Sequence, residues 1–120
     1  MTYVDVEKFA QALPGATLGL EYGGHSNVFR VGGKLFLMIP LDANWTPKGL
    51  RFKTDKDTYR TLTRLEGIHP CPTMTRAHWV EMDGLDALSP EELKSHILRS
   101  HAMVAASLPR TTQVRLGIDA

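Results

Sequence analysis

Apolar residues at Val6, Phe9, Ala10 and Leu13 follow the i, i+3, i+4, i+7 spacing of one helical face, and Thr2 with Asp5 can cap that helix. Pro14-Gly15 ends it. From Leu18 the period shortens: Leu18, Leu20 and Tyr22 alternate with smaller or polar residues in TLGLEY, which predicts a half-buried strand before a turn at Gly23-Gly24. In FRVGGKLF, Val28 to Val31 and Lys34 to Ile39 flank Gly32-Gly33, the pattern of a two-residue hairpin whose turn needs positive φ. LDANWTPKG is a longer polar connection. After it, LRFKT alternates Leu50 and Phe52 with Arg51 and Lys53, a strand with one apolar and one basic face.

Thr54 to Glu66 reads as a second helix, opened by Thr54 with Asp57 three residues on, packed through Tyr59, Leu62 and Leu65, and closed at Gly67. Pro70 and Pro72 hold IHPCPTM extended, because each proline disfavours helix at the residue before it. HWVEM is a short strand and MDGLDA a turn. Ser89-Pro90-Glu91-Glu92 is a helix start with a serine cap, proline at the first position and a glutamate completing the box. Leu93, Ile97, Val104 and Leu108 continue that face to Pro109. The order is helix, about four strands, helix, strand, helix, with no repeat or low-complexity linker. It predicts a single α+β domain over residues 1–120: an antiparallel sheet of about five strands with helices packed on one face.

The hairpin extends this expectation. If Val31 faces Lys34, then Phe29, Val31, Phe36 and Met38 share one face of the sheet, while Val28, Leu35, Leu37 and Ile39 share the other with Arg30. Both faces are then apolar. One lies under the helices, and the other needs cover from the chain's own loops or from a second copy in a homodimer.

The 120 residues are 42% hydrophobic and 22% charged, an ordinary composition for a globular chain that builds its core without disulfides or a structural metal. No long apolar run suits a membrane span and no signal core opens the chain, so a cytoplasmic protein is expected. Cys71 lacks a partner for a disulfide or a zinc pair and reads as a buried or loop thiol. GHSN at Gly24 to Asn27 begins like a nucleophile elbow but ends in Val28 and precedes no helix. His25, His69, His78, His96 and His101 have no metal-ligand spacing, and VGGK lacks the length of a phosphate loop. Glu91 and Glu92 suit a helix N-terminus better than acid/base work. The residues therefore name no nucleophile, base, metal or cofactor, and a non-enzymatic protein is expected.

Charge is more telling in its distribution than in its net value of +1. Lys48, Arg51, Lys53, Lys56, Arg60 and Arg64 stand against only Asp55 and Asp57, and Lys56, Arg60 and Arg64 recur every four residues along the second helix. The stretch from Glu81 to Glu92 carries acids and no base. Such a split gives a basic side able to dock phosphates. Arg30, Lys34, Arg51 and Lys53 lie on neighbouring strands near a turn, and Trp79, close to Arg76, is a candidate stacking residue.

The succession LPGA, FRVGGKLF, LRFKTD, GIHPCP followed by HWV, and LSPEEL before a helix ending in LPR resembles the YjbR/MmcQ-like family of small bacterial proteins across nearly the whole chain. The resemblance implies a frataxin-like (CyaY-like) α/β arrangement and a proposed double-wing mode of DNA binding. It places the family's VGGK on Val31 to Lys34, its strand lysine on Lys53 and its His-Trp pair on His78 and Trp79. Where the family often has Ser-Tyr in the last helix, this chain has Ser100-His101. Frataxin-like iron binding is not implied, because the first helix offers only Asp5 and Glu7.

Two functions follow as expectations. The first is weak or non-specific DNA binding, with Arg30, Lys34, Arg51, Lys53 and Arg76 meeting phosphate and Trp79 beside them. The second is a protein-interaction or small-ligand module that uses the apolar sheet face, as a monomer or a homodimer.

Overall fold

The computed structural model describes residues 1–74 and 77–118. Helix α1 (Tyr3–Gln11) begins with the expected capping box: the Asp5 amide donates to Thr2 Oγ1 at 3.1 Å, and the Thr2 amide donates to Asp5 Oδ2 at 3.0 Å. Val6 and Ala10 are its buried positions. Six strands follow as β1 (Ala16–Glu21), β2 (Ser26–Val31), β3 (Lys34–Pro40), β4 (Leu50–Lys53), β5 (Ile68–Pro70) and β6 (Trp79–Met82). They form one sheet in the order β1-β2-β3-β4-β6-β5, with every neighbouring pair antiparallel. The sixth strand is β5, the expected extended segment around Pro70, which pairs with β6. Tyr3 joins helix to sheet, its hydroxyl accepting from the Gly49 amide at 2.6 Å.

The β2–β3 turn is as expected: Val31 pairs with Lys34, and Gly32 and Gly33 take φ of 57° and 82°. The division of the hairpin into two faces is corrected by a β-bulge. Arg30 pairs with Leu35 but Phe29 pairs with Leu37, so Phe36 is an extra residue on β3 and the side-chain alternation shifts by one beyond it. Phe36, Leu37 and Ile39 consequently join Phe29 and Val31 in the core, whereas Met38 falls with Val28 on the opposite face. A bulge strands backbone polar groups that need partners. Ser100, fully buried on α3, supplies them: its hydroxyl donates to the Phe36 carbonyl at 2.6 Å and accepts from the Lys53 amide at 3.0 Å.

Helix α3 (Pro90–Ala106) has the expected Ser89–Glu92 capping box and packs chiefly on β3 and β4. Leu93, Ile97, Val104 and Ala105 close the core over Phe36, Phe52, Val80 and Met82. Helix α2 (Lys56–Leu62) is shorter than the expected Thr54 to Glu66. Asp55 is its cap, accepting from the Thr58 amide, while Thr54 is buried and donates its hydroxyl hydrogen to the His78 carbonyl at 2.7 Å. Leu65 lies past its end and is exposed. A fourth helix, α4 (Arg110–Arg115), was outside the sequence expectation because RTTQVR has a single apolar position to set a period. Gln113 holds it, donating to the carbonyls of Ala105 and Leu108 at the end of α3. No helix among the described residues is long and apolar enough to cross a membrane.

Candidate phosphate-docking face

The helices cover one side of the sheet. The other side carries the residues that alternate away from the core: Ser26, Val28 and Arg30 on β2, Leu35 and Met38 on β3, Arg51 and Lys53 on β4, and Trp79 and Glu81 on β6. Of the expected basic residues, Arg30, Arg51 and Lys53 are brought onto this face. Lys34 is not, because it pairs with Val31, whose side chain enters the core. Arg76 lies outside the described residues.

Each cation on the face has a partner. Arg30 makes a two-pronged pair with Glu21, Nε to Oε2 at 3.0 Å and NH2 to Oε1 at 2.7 Å, and its NH1 donates to the Gly33 carbonyl at 3.0 Å. The pair holds Glu21 below the ordinary carboxylate range and pushes Arg30 up. Arg51 directs both Nε and NH2 at one oxygen of Glu81, at 3.0 and 2.8 Å, while its NH1 lies 3.8 Å from Met38 Sδ. Lys53 Nζ donates to the Ala77 carbonyl at 2.9 Å, which leaves two of its three hydrogens for other acceptors. Alternating signs along the face were hidden in the sequence, since Arg51 meets Glu81 only because β4 and β6 are neighbours. The Glu21–Arg30 pair had a local signal, because both residues flank the Gly23-Gly24 turn.

Lys34 does something else. Its ammonium donates to Ser107 Oγ at 3.1 Å, and Ser107 is the C-cap of α3, a helix with no basic residue in its own last turn. The lysine thus supplies the cation that the negative end of the helix dipole favours. A Cβ on Gly32 would approach Leu108 to 2.6 Å, so the turn is pressed onto the segment that follows α3. FRVGGKLF is a corner pinned to a helix end.

Trp79 is 5% exposed, and its burial on this face makes it a packing residue rather than an open stacking platform. The Cys71–Met74 turn is tied to β6 beside this face: the Met74 amide donates to the Cys71 carbonyl and the Trp79 amide to the Met74 carbonyl, and Thr73 and Met74 lie next to Met38 and Arg51. Cys71 is buried, as expected for a packed thiol. The basic stripe of the second helix is broken, since α2 ends before Arg64. His96 stacks on Phe52 with centroids 5.6 Å apart, and burial, aided by Arg99, depresses its pKa. Among the described residues no group of His, Cys, Asp and Glu side chains is arranged to hold a metal.

Sequence reasoning missed two features of this end of the molecule. Leu20 and Tyr22, expected to be half-buried, are 55% and 57% exposed, and Trp45 beside them is 60% exposed with its ring lying over Gly24. Between Tyr22, Ser26, Met38, Arg51, Thr73 and Met74 the sheet face also forms a groove.

Comparison with known proteins gives three findings. The family model described as YjbR matches residues 11–103. No curated protein matches. Among solved structures, a Deinococcus radiodurans protein with a DUF419 domain is similar at 19% identity and a TM-score of 0.85, over 98% of this chain and 89% of that one. A Pseudomonas syringae protein is similar at 19% identity and a TM-score of 0.69, over 87% of this chain and 99% of that one. At such identity the likeness is one of fold.

Proposed function

Because the chain belongs to the YjbR family, we propose that it is a DNA-docking protein whose helix-free sheet face meets the phosphate backbone. The observation that carries this reading is the projection of Arg30 from β2 and of Arg51 and Lys53 from β4, on either side of β3, on the side away from the helices. Lys53 contacts phosphate most readily, having no carboxylate partner among the described residues. The two arginines join it by exchanging a glutamate for a phosphate. Their ion pairs are partly exposed, and such pairs contribute at most about 1 kcal/mol each, so the exchange is open to a polyanion. Lys34 reaches the duplex only from the hairpin end, and Arg76 belongs to the reading by its place in the sequence alone. Trp79 packs within the face beside Lys53. No base-reading group is implied, and the binding is weak and non-specific.

Three or four phosphate contacts give a log-affinity against log-salt slope of roughly −3. Fluorescence anisotropy of a labelled random duplex, titrated at several salt concentrations, measures it. Lys53→Ala is expected to flatten the slope by about one unit. An unchanged slope removes Lys53 from the interface, and no binding at low salt removes the function.

A further inference from the structure

The groove on the helix-free sheet face shares Arg51 with the DNA-docking reading and adds apolar walls and a hydroxyl that DNA docking does not use. Its volume of about 490 Å³ lies within the roughly 300–1,000 Å³ of small-molecule sites. Met38, Met74 and Tyr22 give it apolar walls, and methionine sulfurs adapt well to flat or irregular ligands. Two polar groups converge there. Ser26 is 6% exposed and lines the groove, and its hydroxyl has no hydrogen-bond partner among the described residues. Since no described polar side-chain atom is both sealed from solvent and unpartnered, that hydroxyl opens into the groove. Arg51 spends Nε and one NH2 hydrogen on Glu81, whereas its NH1 meets only the weakly accepting Met38 sulfur at 3.8 Å.

We propose that this groove binds a small apolar carboxylic acid. The carboxylate takes the free NH1 edge of Arg51 and the Ser26 hydroxyl, and the apolar body lies between Met38, Met74 and Tyr22. Charge decides the class. Glu81 already offsets Arg51, so a monoanion can be matched by the remaining N–H donors, whereas a phosphate dianion would bring excess negative charge into an apolar setting. The ligand therefore pairs one carboxylate with an aromatic or aliphatic body.

The five methionines allow a direct test with protein labelled at the methionine methyl carbons, titrated with indole-3-propionate and, separately, with its uncharged primary amide. Met38 and Met74 line the groove, Met82 is in the core, Met1 packs half-buried against the core, and Met103 lies elsewhere on α3. The expected result is a saturable shift of the Met38 and Met74 methyl signals alone, with the acid binding about tenfold tighter than the amide. Ser26→Ala should weaken the acid more than the amide, because the hydroxyl's hydrogen bond to a carboxylate is the stronger one. Unmoved Met38 and Met74 signals at millimolar acid, shifts spread equally over all the methyls, or equal affinity for acid and amide would each overturn the proposal. The titration contains no DNA, so failure of DNA docking leaves its outcome independent.

Discussion

At the scale of single residues, Ser100 joins two orphaned backbone groups at once. Replacing it with alanine leaves the Phe36 carbonyl and the Lys53 amide without their partner in a fully buried place. An unsatisfied buried group costs about 1–3 kcal/mol, so Ser100→Ala should lower the unfolding free energy by roughly 2–3 kcal/mol in urea denaturation. A loss under about 0.5 kcal/mol would mean that the bulge does not need this bridge. His96 sets a pH dependence. Its pKa is lowered in the folded protein from the ordinary 6.5, chiefly by burial and also by Arg99, against weaker raising by Glu92 and Asp55. The unfolded chain therefore binds the proton more readily. Stability from neutral His96 is complete above 6.5 and is lost as pH falls through that value toward the folded pKa. His96→Phe should flatten the unfolding free energy between neutral and mildly acidic pH, leaving the fall at lower pH that Glu21, Asp55 and Glu92 produce through their depressed pKa values.

At the scale of elements, the hairpin separates what the sequence reveals from what it conceals. Two glycines between apolar runs are a local signal, and the turn forms where the pattern places it. The bulge at Phe36 has no such signal. It depends on α3 presenting Ser100 to β3 and β4, 64 positions from Phe36 and 47 from Lys53, so faces read by simple alternation exchange Met38 for Leu37 and Ile39. Capping boxes at Thr2 and Ser89 were legible because both partners lie three residues apart. Helix α4 was not, because its hold on α3 runs through one glutamine. The turn gives a comparison in which each variant controls the other. Gly32 and Gly33 both have positive φ, which costs a side chain about 1–2 kcal/mol. A Cβ at Gly33 meets open space, whereas one at Gly32 meets Leu108. Gly32→Ala should therefore lower the melting temperature more than Gly33→Ala does. Equal losses would show that the corner is not pressed against the segment after α3.

At the scale of the whole molecule, the basic and acidic halves expected from the linear sequence are folded together. Strand order sets Glu81 against Arg51, and the Gly23-Gly24 turn sets Glu21 against Arg30, so the face presents paired charges, with Lys53 beside Arg51 on β4. The candidate residues were legible one by one, while their partners required the sheet. This arrangement makes the two glutamates restraints on phosphate binding. Glu21→Gln with Glu81→Gln removes both negative charges with little change of shape and leaves each guanidinium held by at most a weaker, neutral hydrogen bond. The decisive measurement is the salt dependence of duplex binding by this double variant beside the native protein. The variant should bind the duplex more tightly at every salt concentration, with a slope still about −3, because the same arginines meet phosphate without first displacing a carboxylate. Unchanged affinity would contradict the account, because the face carrying Arg30 and Arg51 would then not be where the phosphates lie.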